Sequence, residues 1–572
     1  MQLNALSNGY KFSNKNAMIF VANFITVNKT QPTAEAVATI DGQIVAVGSK
    51  IQVENYLNSY NISFKTDTSF SDYFLTPGFI EAHMHTFLAA ALQERIYYVG
   101  QVDRTSTSGQ KLKAAITKED VINRLKEIVK KYSATDKTSR SPWVDCWGFD
   151  PLLVEGQMTM DKSLLDEICP NFPMIVAHAS LHLATLNSKA LELCEFSVND
   201  NPHYVERNEN QELTGNIAEH DALFKAIEKG GMNIQGTPQE QESFLIKLSE
   251  KQVAMGVTSM VDAGAGMPFN TMPLYETVSK NEAMRVRHHP YPLVEKYSVE
   301  EVIEYRKKSN PMLSVKRVKF VMTDGSIQGF TANLPENTKY YNQSENGVSR
   351  FSGEEIYKAV LPFHKAGFNV SFHCNGDGMT ETLLDVFELL QRTYPREDAR
   401  HCLEHNQLVT EEQLARMADL GVVHNLFASH IAVWGDVHAK ETVGPARVKT
   451  MEPCRSSINH GVRFSLHSDD SVTECNPLFS MWAAVNRKCL FSGKTYGNYQ
   501  KITAEEALEA VTLGAAYISN EDDVKGSIEP GKYADFAILE ENPITTESDY
   551  IKDISILGTI LGGKVQLAKA HR

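Results

Sequence analysis

The feature that most narrows what this chain can fold into is an alternation. Eight short β-rich runs occur along it: GFIEAHMH (78–85), TSMVDAG (258–264), VRHHPY (286–291), RVKFVMTDG (317–325), FNVSFHCNG (368–376), RHCLEHN (400–406), VVHNLFA (422–428) and RFSLHSDD (463–470). Helical patterns stand between many of them, including Glu354–Ala366, Met379–Tyr394, Glu411–Leu420 and Cys454–His460. A strand followed by a helix and another strand pairs in parallel, because the helix is the crossover that returns the chain to the same sheet edge. Eight such strands predict an α/β fold of the (β/α)₈, or TIM, barrel type. A doubly wound open sheet is the alternative pattern.

The two ends follow a different period. In ATIDGQIVAVGS (38–49) the pair Asp41-Gly42 separates two β-rich runs, as in a tight hairpin. GSIEPGKYADFAIL (526–539) reads as a turn and a strand, and ISILGTILGGKVQLA (554–568) as a hairpin around Gly562-Gly563. Strands at both ends predict a small β-domain built from 1–75 and 525–572, enclosing the barrel at 76–524. About 170 residues separate the first barrel run from the second, far more than one crossover uses. An inserted subdomain at about 100–240 is therefore expected. Its PMIVAHASLHLATLNSKAL (173–191) reads as a strand, a polar loop and a helix start. Thr503-x-x-Glu506 is a capping box opening the last long helix pattern.

Composition excludes several classes of function. The chain has 572 residues, 42% of them hydrophobic and 22% charged, as in globular proteins. The formal net charge of -15 repels phosphate backbones, so no nucleic-acid partner is expected. Arg124, Lys126, Lys130 and Lys131 share a helical pattern with Glu127, which is a solvated face rather than a basic patch. No run of 18 apolar residues exists to cross a membrane. The run AMIFVANFITV (17–27), preceded by Lys11 and Lys15, competes as a secretory leader. Asn23 interrupts it and Ala34-Glu35-Ala36 lies far beyond it, so a strand is expected there. Eight cysteines at irregular spacing, with no CxxC pair, fit a reducing compartment rather than a disulfide framework or a zinc ribbon. The expectation is a cytoplasmic protein that acts on a small molecule, with a homodimer as the usual assembly for such a chain.

Polar residues placed on the predicted strands carry the chemistry. His83 and His85 are two apart and so share one strand face. His373, His405 and Asp469 each end a β-rich run before a turn. In a barrel that end is the functional rim, and polar groups there are costly unless they bind something. Five such residues predict a divalent metal site holding one or two ions. Zinc is the first choice by ligand type, with iron, manganese or cobalt as alternatives. Asp469 is the candidate to take a proton from an activated water and pass it to a leaving amine. Lys319 lies in a barrel run and has two readings: a carbamylated bridge between ions, or a lysine paired with Asp324 or Glu404. Trp143, Trp147, Phe330 and Trp434 are candidate apolar walls of a substrate pocket, with plain core as the competing reading.

These segments resemble those of the amidohydrolase superfamily, and within it the YtcJ-like branch (amidohydrolase family 3) that includes N-substituted formamide deformylases. LTPGFIEAHMH is similar to PGFIDxHxH, SFHCNGDG to HAIGD, LEHNQ to IEHAQ and HSDDSV to GSDxPV. LHLATLNSKAL, LTGNIAE, VKFVMTDGSIQGFTANL and GSIEPGKYADFAIL resemble further segments of the branch, in the same order. The resemblance implies a distorted TIM barrel with a β-sandwich made from both termini, with His83, His85, His373, His405 and Asp469 as metal ligands or catalytic groups, and favours Lys319 as a carboxylated bridge. It implies that His182, from the insertion, faces the substrate and with His405 is a candidate to stabilise the oxyanion. Asp377, Trp147 and Phe330 complete the candidate substrate contacts. Four departures stand out: Glu81 for Asp, Cys374-Asn375 for Ala-Ile, His467 for Gly, and Asp470-Ser471 for x-Pro. Cys374 is not needed as a nucleophile, because the metal set is complete without it.

Three functions follow from this reading. The first is hydrolysis of an amide, formamide-like or cyclic C–N bond by metal-activated water. The second keeps the metal and changes the reaction, to deamination of a heterocycle or to an isomerase or hydratase-like step. The third, a binding protein on a retired barrel, conflicts with an intact set of costly polar groups.

Overall fold

The computed structural model describes residues 16–134, 142–201 and 204–569. Residues 1–15, which include Lys11 and Lys15 and the start of the expected terminal domain, lie outside the described residues, as does the Glu219 side chain of LTGNIAE. Each of the eight β-rich runs contains a strand. They are Phe79–Met84, Val257–Ala265, Arg287–Pro292, Arg317–Phe320, Asn369–Cys374, Cys402–His405, Val423–Leu426 and Phe464–Leu466. All their pairings are parallel, in one arc of three strands and one of five.

The arcs meet at two seams. At one, Leu293 bridges Lys319 in parallel and the Val294 N–H donates to Lys319 O at 2.9 Å. At the other, the Asp469 N–H donates to His83 O at 3.1 Å, and the His85 N–H to Asp470 O at 2.9 Å. Helices fill the crossovers close to where the periodicity put them: Gly353–Lys365, Asp377–Thr393, Glu411–Leu420 and Cys454–His460. Capping boxes at Ser352/Glu355, Thr410/Gln413 and Thr503/Glu506 satisfy the first free N–H groups and set the starts. Gly421, at φ 64°, ends one of these helices in the left-handed conformation that glycine adopts without a Cβ penalty. Among the described residues, no helix is long and apolar enough to cross a membrane.

The two ends of the chain join in one seven-stranded sheet. Its order is Lys564–Leu567, Ile556–Leu561, Phe536–Leu539, Ser63–Pro77, Asn16–Ile25, Thr33–Ile40 and Gln43–Gly48. Its seven strands form one continuous hydrogen-bonded order with an apolar cluster on each side, and the hairpin turns at its two ends approach each other at Gly42 and Gly562. Alternation along the strands puts Phe20, Phe24, Val37 and Ile538 on one face. Ile19, Ala36 and Ala38 lie on the other, where Val53 and Leu57 of the helix Lys50–Ser59 cover them. Both hairpins have positive φ at their two turn residues: 48° and 80° at Asp41-Gly42, and 54° and 74° at Gly562-Gly563. That is the turn whose twist matches two antiparallel strands.

Within the insertion, six short strands form a further sheet in the order Val205–Arg207, Leu213–Ala218, Leu183–Leu186, Met174–His178, Val144–Phe149 and Tyr97–Tyr98. This corrects the reading of 173–191 as strand, loop and helix. LATL pairs antiparallel with the strand before it, and the turn between them is confined to residues 179–182. His182 therefore sits at the mouth of a hairpin.

One buried ion pair joins the terminal sheet to the central strands. Arg287 donates from Nε and Nη2 to both Asp535 carboxylate oxygens, at 2.7 and 2.8 Å, and from Nη1 to Pro311 O at 2.6 Å. Asp535→Ala leaves a buried guanidinium without its counter-charge and should lower stability by about 3–5 kcal/mol in urea unfolding. Adding Arg287→Met to that variant should restore part of the loss.

Candidate metal centre

The eight strands deliver the candidate ligands to one end of the central sheet arcs. His83 is the penultimate residue of the first strand, and His85 follows that strand at the start of the helix Thr86–Arg95. His373 lies on the fifth strand, His405 closes the sixth, and Asp469 follows the eighth. The ligand atoms of His83, His405 and Asp469 lie within 4.8 Å of one another. Asp469 Oδ1 is 3.4 Å from His83 Nε2 and 3.6 Å from His85 Nε2. His405 reaches His373 through Nε2 at 3.1 Å and His467 through Nδ1 at 3.3 Å. His405 and Asp469 hold left-handed backbone, φ 69° and 51°, a strained state for residues with a Cβ. The Asn406 N–H, donating to Cys374 O at 2.8 Å, helps to hold the first of these turns in place.

Charge is arranged to receive a cation. Burial lowers the imidazoles of His85 to about 4 and His467 to about 3, and holds His373 and His405 well below the usual histidine range. These four rings are neutral and offer a lone pair. Burial works on His83 in the same direction, but the Glu404 carboxylate beside it raises it to about 9. Burial would likewise raise Glu404 and Asp469, yet the positive field of His83 and its neighbours holds both well below the usual carboxylate range. Buried polar atoms of the cluster without a hydrogen-bond partner among the described residues include His83 Nε2, Asp469 Oδ1, Lys319 Nζ, Glu404 Oε1 and His467 Nδ1. Orphaned atoms of this kind, on carboxylate, imidazole and amine, fit a bound divalent ion.

Lys319 therefore forms no hydrogen bond to its expected partners Asp324 and Glu404. It is fully buried, and burial lowers its amine. Asp324 instead accepts the backbone N–H groups of Asn375, Gly376 and Asn333, and burial raises it to about 7. Glu404 spends one oxygen elsewhere, its Oε2 accepting from His83 Nδ1 at 2.7 Å and from Asn425 Nδ2 at 2.9 Å, and meets Lys319 through charge rather than a hydrogen bond.

Sequence reasoning missed two roles here. Glu404 orients His83 from 321 positions away, which no spacing rule reveals. Glu81 accepts from the His83 N–H at 3.2 Å and from the Ser468 hydroxyl at 2.7 Å, so the departure from Asp spans the first and eighth strand ends. His467, flagged only as a departure, stands 4.8 Å ring to ring from His83 and 5.0 Å from His405.

Two small adjoining cavities open on the cluster. One, of about 60 Å³, meets His83, His85 and Lys319, with apolar walls from Leu88, Met267 and Val472. The other, of about 30 Å³, is bordered by Asn375, Gln407, Gln328 and His430. His182 borders both, and its ring is 5.8 Å from that of His373.

The remaining candidate contacts are not brought here. Asp377 turns to Arg447, which donates to it at 2.7 Å. Trp147 packs on Tyr98 at 5.1 Å and under the Arg104 guanidinium at 4.8 Å. Phe330 packs on Tyr340 at 5.4 Å. Trp143 lies in the main core, and Trp434 donates its indole N–H to Asp150 at 2.7 Å. Large rings gain more from close packing than from a mostly polar rim, which is why these four became core.

The sequence model of the Amidohydrolase family matches residues 72–566. The chain is 24% identical over 566 residues to an N-substituted formamide deformylase of Arthrobacter pascens, covering 96% of this chain and 98% of that protein. It is 25% identical over 557 residues to the Arabidopsis thaliana protein LONG AFTER FAR-RED 3, covering 94% and 89%. In fold it is similar to an uncharacterized metal-dependent hydrolase from Pyrococcus horikoshii OT3, with TM-score 0.71 and 20% identity, covering 93% of this chain and 99% of that one.

Removing the charge that orients His83 should weaken ion binding without removing a ligand. Glu404→Gln is expected to lower zinc affinity roughly 10–100-fold, read by titration against a competing chelator.

Proposed function

The chain belongs to the amidohydrolase family, and on that footing we propose a metal-dependent hydrolase that opens an amide, formamide-like or cyclic amide C–N bond of a small molecule. The observation that carries this reading is the trio of unpartnered buried atoms on His83, Asp469 and Lys319, facing one another from different strands. The name of the Arthrobacter pascens relative supports amide chemistry for the branch. We also read the two arcs as a closed (β/α)₈ barrel, since both seams carry backbone contacts. The terminal sheet and the insertion at about 100–240 stand as separate units in this reading.

The residues that would hold the metal are His83, His85, His373, His405 and Asp469, with Lys319 as a carboxylated bridge. A divalent ion there, zinc by ligand type, supplies Lewis acidity toward the substrate carbonyl and acidifies a water. Lys319 suits the bridge because burial favours its neutral amine, which can add carbon dioxide, forming an N–C bond and releasing a proton. Asp469, an ionised carboxylate at the cluster, takes the proton of the attacking water and returns it to the leaving nitrogen. His182, from the insertion hairpin, and His405 border the space where the carbonyl oxygen develops charge. Leu88, Met267 and Val472 exclude water from the reacting bond.

Two measurements test this. Elemental mass spectrometry on protein purified without chelator should find about two transition-metal ions per chain if Lys319 bridges, and about one if it does not. The His83→Ala/His85→Ala variant should lose them, and a wild-type chain that neither carries nor responds to zinc or manganese would refute the proposal. Asp469→Asn should lower kcat by about 10²–10⁴-fold on any amide that is turned over. Release of an amine and an acid marks amide hydrolysis, whereas ammonia from a heterocycle marks a deaminase.

A further inference from the structure

The smaller cavity beside the metal cluster has a chemistry of its own. Asn375 Oδ1, Gln407 Oε1 and Gln328 Oε1 border it or belong to residues that do. All three are buried atoms without a hydrogen-bond partner among the described residues. Asn375 and Gln407 are 4% and 2% exposed. Buried polar atoms are rarely left unpaired, so three amide groups around one small space call for polar partners from a ligand, with the amides of Gln407 and Gln328 free to turn their oxygens to it. The orientation of Asn375 follows from its partner: Nδ2 lies 2.8 Å from Gly325 O, an acceptor that only a donor can face, so Oδ1 is the free acceptor.

His430 borders the same cavity and is oriented from behind. Its Nδ1 is 2.9 Å from His438 Nε2, and His438 Nδ1 is 2.8 Å from the Thr442 hydroxyl. The Thr442 hydroxyl can donate to His438 Nδ1 or accept from it, so the relay leaves His430 Nε2 to meet the cavity as donor or acceptor, as the ligand requires. His430 stacks on Trp434 at 4.6 Å between ring centres, which holds the ring plane. No Lys or Arg borders this cavity, and its one carboxylate is Asp469 of the metal cluster.

We propose that this cavity is a subsite for a neutral group with both N–H donors and a carbonyl, a primary carboxamide or ureido group, at the end of the substrate away from the bond that is cut. Its N–H groups meet the oxygens of Asn375, Gln407 and Gln328, and its carbonyl accepts from His430 Nε2. A carboxylate would face acceptor oxygens without a counter-charge, and an alkyl group would leave all of them unpaired. The subsite rests on the amidohydrolase reading for its place in catalysis, but its ligand preference can be measured without turnover.

The test uses the wild-type chain with Gln407→Met and Asn375→Leu. The Gln407 side chain makes no hydrogen bond to the described protein, so the Met variant should fold with Tm at or above wild type. Saturation-transfer NMR compares acetamide with acetone, which keeps the carbonyl and the shape but has no N–H. The wild type should bind acetamide at least about ten-fold more strongly than acetone, and both variants should lose that preference. Equal binding of the two probes, or a preference unchanged in both variants, overturns the proposal. In turnover, 3-formamidopropanamide should exceed 4-formamidobutan-2-one in kcat/KM by about ten-fold or more, with the ratio falling toward one in Gln407→Met. Turnover of both with a ratio near one in wild type overturns the subsite and leaves the hydrolase reading in place. Turnover of neither, with acetamide still preferred, supports the subsite and tells against the hydrolase reading.

Discussion

Two buried carboxylates, Glu404 and Asp469, reach His83 from opposite sides, and much of the molecule is arranged around that contact. Glu404 takes Nδ1 at 2.7 Å, while Asp469 stands 3.4 Å from Nε2. Two negative groups in a buried space demand positive charge, and among the described residues His83 acts on both while the amine of Lys319 acts on Glu404. A divalent ion answers the demand better than either. The neutral rings of His85, His373, His405 and His467 surround the same point with lone pairs rather than competing charge.

That contact depends on strands far apart in the chain. His83 comes from the first central strand, Glu404 from the sixth and Asp469 from the turn after the eighth. The seam between the eighth and the first is bonded through Asp469 N–H and His83 O themselves, so the backbone that joins the arcs is also the backbone that sets the ligands. Glu81 adds a side-chain link across the same seam through Ser468. The insertion reinforces it from outside. Arg104 donates to the Asp470 carboxylate and to Ser471 O at 2.6 Å, so a segment far from the eighth strand holds the turn that carries Asp469.

The surroundings divide by polarity. Apolar side chains stand near His83, His85 and Lys319, where a dry space strengthens charge interactions. Unpaired amide oxygens stand on the far side of His405, where a polar group of a ligand would be read. A rim that was mainly aromatic would have met neither need, and the tryptophans and Phe330 indeed serve as packing.

The period of the chain made the strands, several helix starts and the pair His83 and His85 legible, because i, i+2 alternation and capping boxes are local rules that any fold must obey. The hairpin turns at Asp41-Gly42 and Gly562-Gly563 were legible for the same reason. A polar loop was expected between the strand and the helix start of 173–191, and tertiary pairing turned Leu183–Leu186 into a strand. Lys319 was ambiguous by sequence, since one candidate partner, Asp324, lies in its own run and the other, Glu404, lies two strands on. Only the fold shows that Asp324 is occupied by backbone N–H groups and Glu404 by His83 and Asn425. The chain by itself determined which residues could bind an ion, because residue chemistry and strand period are local. Tertiary structure alone decided which atoms are left without partners, because that depends on contacts between segments hundreds of residues apart.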